Sequence, residues 1–516
     1  LLRWSIVFMF LLAGLANAMV LLTWAPIFSQ ATTYFSEALG SSADTGVNMF
    51  FSTFQIMFLP GTLAGIYIQK KYGLRNTLLY GGLFSTVGCV IRYIAATSYT
   101  DTTGNSGSIG TYIAILMGTL LVAQAQPVYL NLPTMLSLTW FPVSERDFAM
   151  TILSLANTAG SAIGSVIPTL LVKEKDTSLI SLIPDVNNLL FFQMVVSCIS
   201  FITIYFLFLN APAIPPSIAA EKLLEGNINA LITDDDNPVI SEKDNSSNSN
   251  SGNGNGNGID NSNGGGQNQD QGIWISLQQL FSNSQYILIF IGFASAIASL
   301  NSLASLLGQL PTNNTSTTIG FMGFSLILAG FIGAVICGTI LSKYQAYGTI
   351  LKVAYTGAMI AWISFMLNIG NNNSTWMCIT AGFTGFFVLA CVPAGLQNAV
   401  ESAYPVSEDI TVGSLYLAAN ILTIPYTYIG QSLLNSNSNS DGDSDSDDNI
   451  GNFSSFAWFS TCMLGIGWVA VMFYRSGEYK RLNLDQSLEQ GIVESEGGTS
   501  SRQFRNSTDS QGVSVI

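Results

Sequence analysis

Hydrophobic positions along this chain fall into long runs separated by short polar stretches. In order, the runs cover residues 5–27, 47–68, 77–98, 112–138, 148–171 and 189–209. After a long polar gap they resume at 286–310, 318–341, 349–369, 376–399, 410–434 and 456–474. About 20 apolar residues in a helix cross a ~30 Å hydrocarbon core, where irregular backbone would leave polar groups unsatisfied. The pattern predicts an all-α membrane protein of twelve transmembrane helices in two six-helix bundles. The gap holds a Ser/Asn/Gly tract, Ser247 to Gly258, too poor in apolar residues to order itself. The expected organisation is a bundle over 1–209, a disordered cytoplasmic linker over 210–272, a bundle over 273–474 and a disordered cytoplasmic tail over 475–516. Just before span seven, Trp274, Leu277, Leu280 and Phe281 share a helical face. That face fits either a surface-lying helix or an early turn of the span.

Composition sharpens the picture. Of 516 residues, 49% are hydrophobic and only 9% charged, against roughly 25% charged in a soluble domain. The balance is acidic, 17 Lys+Arg to 31 Asp+Glu, which removes nucleic acid as an electrostatic partner. Cys89, Cys198, Cys337, Cys378, Cys391 and Cys462 lie scattered in apolar segments and read as small buried hydrophobes, not as metal ligands. With the N-terminus inside, fourteen Lys/Arg fall on the cytoplasmic side and only Lys173 and Lys175 outside. That bias places both termini in the cytoplasm. Sequons at Asn313, Asn372 and Asn452 then lie in outer loops and predict a glycoprotein. The acidic run Asp441 to Asp448 is expected to be a solvated outer loop. Tyr479-Lys-Arg-Leu482 fits a sorting signal, leaving plasma and endolysosomal membranes both open. Beginning on Leu1, the chain is expected to lack N-terminal sequence.

A long-range echo organises the two groups. Phe141-Pro-Val-Ser-Glu145 leads to Asn157, and Tyr404-Pro-Val-Ser-Glu408 leads to Asn420, sixteen residues on in each case. The copies precede spans five and eleven, the equivalent members of each half. Such repeats mark a duplicated fold, and duplicated carriers bind solute where the repeats meet.

The chemistry is mostly one of absence. There is no histidine, and every carboxylate lies in a loop, a tail or a terminal turn. Proton coupling usually needs an intramembrane acid or His, and catalysis needs acids or an activated nucleophile. The expectation is a facilitative uniporter with no cofactor or metal, not an enzyme. Uncharged polar groups remain at mid-membrane depth: Asn17, Gln124, Gln126, Asn131, Asn157, Asn301, Gln397, Asn398 and Asn420, with Thr23 and Trp24 near the outer end of span one. Singly, each amide reads as interhelical glue; as a set matched in both halves, they predict a cavity for a small polar solute. The competing reading is a non-transporting receptor or scaffold with the same fold, which has no need of matched amides. Ala156, Gly160 and Gly164, and likewise Gly61 and Gly65, are expected to be packing stripes. Arg92 is expected to snorkel outward. An inner gate is expected from Lys70, Lys71 and Arg75 facing Glu408 and Asp409, and from Lys343 and Lys352 facing Glu145 and Asp147.

Twelve spans with Gly73-Leu-Arg75 after the second resemble the major facilitator superfamily. Arg3-Trp4, Asn17-Ala18, Trp24-Ala-Pro-Ile27, Ala125-Gln126, Trp140-Phe141, Pro212 to Ala219 and Glu401 to Gly413 narrow this. They resemble the feline leukemia virus subgroup C receptor-related carriers and their disrupted-in-renal-carcinoma relatives. The expected form is a monomer in the bilayer; the resemblance implies alternating access around a central site, and solutes such as choline, ethanolamine, haem or vitamin B6-type compounds. It maps that site onto Asn17, Leu21, Gln126, Thr158, Asn301 and Asn420. The choline pattern has aromatics where this chain has Leu21 and Asn301, and glutamines at Thr158 and Asn420. A quaternary ammonium seeks aromatic faces, which Trp24 is placed to supply in part. Haem is disfavoured without His. The acidic residue usual before Gly73 is Lys70 here.

Overall fold

The structure is a computed structural model describing residues 2–98, 109–173, 179–209, 212, 268–310, 315–344, 346–369, 373–403, 406, 408–435 and 446–475. α1 (Leu2–Leu21) runs from what we term the near end of the bundle to the far end. The chain leaves the helix at residues 22–27, around Pro26, where the Thr23 hydroxyl donates to the Val20 carbonyl oxygen at 2.8 Å. α2 (Phe28–Leu39) follows, then α3 (Ala43–Thr97), whose two limbs turn about Gly73 at φ 78° and ψ 179°. Only glycine adopts that backbone without strain. α4 (Ile109–Trp140), α5 (Val143–Leu171) and α6 (Leu179–Leu207) complete the first group.

After α7 (Asn268–Ser282) come α8 (Ser284–Leu306), α9 (Ser316–Tyr344), α10 (Tyr347–Asn368), α11 (Ser374–Ala403), α12 (Glu408–Asn435) and α13 (Ser446–Phe473). Among the described residues, eleven helical stretches are long and apolar enough to cross a membrane. The expected fifth span is α5, a 29-residue helix packed within the first group.

Local chemistry sets the boundaries. Pro142, extended at ψ 162°, separates α4 from α5. Asn283 caps α8 by accepting from the Gln285 and Tyr286 amides, and Asn373 caps α11 in the same way. The Asn283 break makes α7 a helix of its own and not an early turn of span seven. Its Leu280 is buried in the core of the second group. α13 starts at Ser446, well before the expected 456, and takes in the end of the acidic run. Most of the linker and tail, and the sequons at Asn313 and Asn372, lie outside the described residues, as does the side chain of Asn452.

In the first group α1 packs along α5, and α3 along α4 and α6; in the second, α8 packs on α11, α12 and α13, with α9 and α10 on α11. The glycine stripe of α5 meets α1: a Cβ on Gly160 would fall 2.6 Å from the Leu15 carbonyl oxygen. Gly61 sits as tightly on the Gln124 carbonyl and Pro127. Between the groups, α5 lies along α9 and the first limb of α3 along α12. These two seams exchange under the internal repeat, because α5 matches α12 and the first limb of α3 matches α9.

Arg92 corrects an expectation. It does not snorkel: it is 1% exposed, and its Nη1 donates to Gln193 Oε1 at 3.0 Å. Gln193 in turn donates to the Thr23 hydroxyl at 2.9 Å. This chain of bonds ties α3 and α6 to the break after α1, while Arg92 Nε and Nη2 are buried with no hydrogen-bond partner among the described residues.

Candidate functional site

The far end between the groups is closed by amide side chains and one carboxylate, Asp44. Asn48 of α3 donates to Gln431 of α12 at 2.8 Å and accepts from Gln309, just past α8, at 2.9 Å. Asn435 donates to Asp44 at 2.9 Å, and Gln30 of α2 to Ser316 of α9 at 2.8 Å. Beneath these bonds lies an apolar plug of Leu22, Ala25 and Phe51 from the first group, packed with Leu21 and with Ala304 and Ile327 of the second.

Facing residues can be followed down the antiparallel seam of α3 and α12. Asp44 meets Asn435, Asn48 meets Gln431 and Met49 meets Tyr428; further toward the near end, Phe58 meets Tyr416 with ring centroids 6.4 Å apart. Gln55 and Asn420 lie at matching levels between the last two contacts. Helical spacing puts each on the facing stripe, Gln55 with Asn48 and Ser52, and Asn420 with Tyr416 and Tyr428. Both are largely buried, at 9% and 8% exposure, and neither side chain has a hydrogen-bond partner among the described residues. The composition-led reading missed Gln55, although it is a mid-span amide like the others; its significance comes from standing opposite Asn420.

The second seam has one matching group. Asn157, Ser161 and Ser165 form a stripe on α5, and Ser165 packs against Gly320 and Gly323 of α9. Asn157 lies on that face about 12 Å nearer the near end at 1.5 Å per residue, with a buried, unpartnered Oδ1. Its neighbour Thr158 is half-buried. Asn301 of α8 sits one turn below Ala304 of the plug, half-buried and without a side-chain hydrogen bond among the described residues. Gln126 lies one turn along α4 from Ala123, which packs with Val20 and Phe54 of α1 and α3. Toward the near end, the rings of Phe58, Tyr416 and Phe293 gather from α3, α12 and α8, with Phe293 and Tyr416 5.2 Å apart and edge-on. The amides thus occupy a layer between an apolar plug and an aromatic floor.

Four expected solute residues are placed elsewhere. Asn17 is 1% exposed and donates to Ser85 Oγ and the Val122 carbonyl, both at 2.9 Å, so it binds α1 to α3 and α4. Gln124 donates to the Tyr80 hydroxyl within the first group. Trp24 packs in an aromatic cluster with Phe35 and Phe50, and Leu21 belongs to the plug.

The expected inner gate is only partly in view. Arg75 donates to the Tyr205 carbonyl oxygen at 3.0 Å, and the Lys343 ammonium lies 5.5 Å from the centroid of the Tyr344 ring. Glu145 is exposed. The side chains of Lys70, Asp147, Glu408 and Asp409 lie outside the described set. Lys352 lines a hollow between α10 and α11 instead of the seam with α5.

Comparison with known proteins follows the same architecture. The Major Facilitator Superfamily model matches residues 6–424. An uncharacterised transporter of this type from Caenorhabditis elegans is 23% identical over 476 residues, covering 92% of this chain and 69% of its own. Solute carrier family 49 member A3 of Xenopus tropicalis is 23% identical, with 84% and 78% covered. The choline/ethanolamine transporter FLVCR2 of Homo sapiens is 23% identical, with 82% and 70% covered. Among solved structures, a D-xylose-proton symporter superposes with a TM-score of 0.62 at 12% identity, covering 92% of this chain and 98% of its own. Two pseudo-equivalent helix groups meeting along α3–α12 and α5–α9, together with a family match over most of the sequence, establish that this chain belongs to the major facilitator superfamily.

Proposed function

We propose that the protein is a facilitative carrier for a small polar organic solute of the choline/ethanolamine or vitamin type, held at the amide layer between its two six-helix bundles. One observation carries this reading: Gln55 and Asn420 stand at one level on facing helices of different halves, largely buried and with no side-chain hydrogen bond among the described residues. Their amide atoms are not among those sealed from solvent, so they stay open to a ligand that supplies hydrogen bonds, each contributing about 0.5–1.5 kcal/mol net. Asn157, Thr158, Asn301 and Gln126 extend the layer. Phe58, Tyr416 and Phe293 supply ring faces that the sequence pattern at Leu21 and Asn301 lacks, and these favour a solute bearing an ammonium group. The named activity of the FLVCR2 relative supports the same class.

Far-end closure through Asn48, Gln431 and Gln309 represents one of two alternating states. In this reading the near end faces the cytoplasm, the halves divide at 1–209 and 273–474, and the protein works as a monomer in the plasma or endolysosomal membrane. The charge pairs of Lys70, Arg75 and Lys343 with Glu408, Asp409, Glu145 and Asp147 close the opposite state. With no acid at mid-span, transport follows the solute's own gradient. Uptake of a defined metabolite mixture by expressing cells, read by mass spectrometry, tests the proposal. A choline-, ethanolamine- or vitamin-like compound accumulates above control cells and loses that accumulation in Asn420→Ala; a profile identical to the control rejects it.

A further inference from the structure

Two adjoining hollows of about 420 and 260 Å³ lie between α10 and α11, away from both seams that join the halves. They share Gly357 and Phe387, so they form one groove running from Thr349 and Lys352 near the start of α10 to Ser364. The fifteen steps from Thr349 to Ser364 rise about 22 Å along the helix, which is about one leaflet with its headgroup layer. The walls are apolar: Ile360 and Phe383 are 66% and 58% exposed there, and the Thr356 and Thr380 hydroxyls along the groove are used internally. Thr356 accepts from Trp468 Nε1 and donates to the Lys352 carbonyl oxygen. Thr380 donates to the Trp376 carbonyl oxygen. The Lys352 ammonium is the exception, with no partner among the described residues. The exposed Thr349 hydroxyl lies one turn away.

An apolar slot one leaflet long with an unpaired cation at its interfacial end has the profile of an anionic amphiphile. We infer that this groove binds an anionic phospholipid, its phosphate on Lys352 and Thr349 and one acyl chain along Gly357, Ile360, Phe383 and Phe387. A zwitterionic lipid brings its own cation to the phosphate and so gains less from Lys352. Basic pockets between helices at the cytoplasmic face select anionic headgroups by this charge match.

The test uses the full chain, delipidated in detergent, and native mass spectrometry of lipid retained from dioleoylphosphatidylglycerol or dioleoylphosphatidylcholine. Phosphatidylglycerol is retained preferentially, and inorganic phosphate does not compete with it. Lys352→Glu and Lys352→Gln lower its retention about fivefold or more, the effect of one basic side chain on an anionic headgroup. Lys352→Arg keeps retention, as does Arg475→Gln, which removes an exposed cation just past α13 and outside the groove. Ile360→Trp lowers retention of both lipids by narrowing the slot without touching the charge. Equal retention of the two lipids, unchanged retention in Lys352→Gln, or an equal loss in Arg475→Gln overturns the inference.

Discussion

Arg92 shows how far one residue's role depends on partners distant in sequence. A lone arginine near the end of a span reads as a side chain reaching for the interface, yet Gln193, about a hundred residues away, supplies its acceptor and passes a bond on to Thr23. Removing one partner of a buried charged donor costs more than removing both, because the remaining group keeps its desolvation penalty. Gln193→Ala is therefore expected to destabilise the protein by about 2 kcal/mol, seen as a lower melting temperature in detergent. Adding Arg92→Met to that variant restores part of the loss; a further fall would mean that the guanidinium stabilises by another route. Asn17 makes the same point in reverse. Its depth marked it as a solute group, but both amide protons are taken by Ser85 and Val122. Depth is legible in a sequence, whereas the direction a side chain takes depends on neighbouring helices.

At the scale of elements, the lengths of the apolar runs revealed the spans well, since each covers a bilayer's thickness and the packing needs nothing more specific. Boundaries were harder to read. α3 runs through both of its spans because Gly73 turns the chain within a residue, and α13 starts at Ser446, inside the acidic run that reads as loop. Small-residue stripes were readable as well, and they admit a direct comparison. Gly160→Val drives a side chain into the Leu15 carbonyl and is expected to cost about 1–3 kcal/mol through overpacking. Gly413, on α12 with nothing near its missing Cβ, gains about 0.5–1 kcal/mol as alanine through helix propensity. Thermal melts of the two variants separate these outcomes, and shifts of the same sign would contradict the packing account.

For the whole molecule, the duplicated phrase before α5 and α12 made the two halves visible, while the contacts that close them were not. Sequence reasoning favoured charge pairs near the cytoplasm; the described closure is built from Asn48, Gln431 and Gln309 at the far end. Neutral amides suit a gate that must open, since each bond contributes only about 0.5–1.5 kcal/mol net. Asn48→Cys with Gln431→Cys, in a background lacking the exposed Cys462, is expected to crosslink on oxidation and stop transport, with recovery on reduction. Transport that continues through the crosslink would mean that the far end does not need to open. The central claim is that solute is held between Gln55 and Asn420 and crosses without ion coupling. Solute counterflow in proteoliposomes with no pH or sodium gradient tests this most directly. The account predicts rapid exchange in the wild type and about tenfold weaker half-saturation in Gln55→Leu or Asn420→Ala, the loss of roughly one hydrogen bond. Exchange that requires a proton gradient, or that is unchanged in both variants, would contradict it.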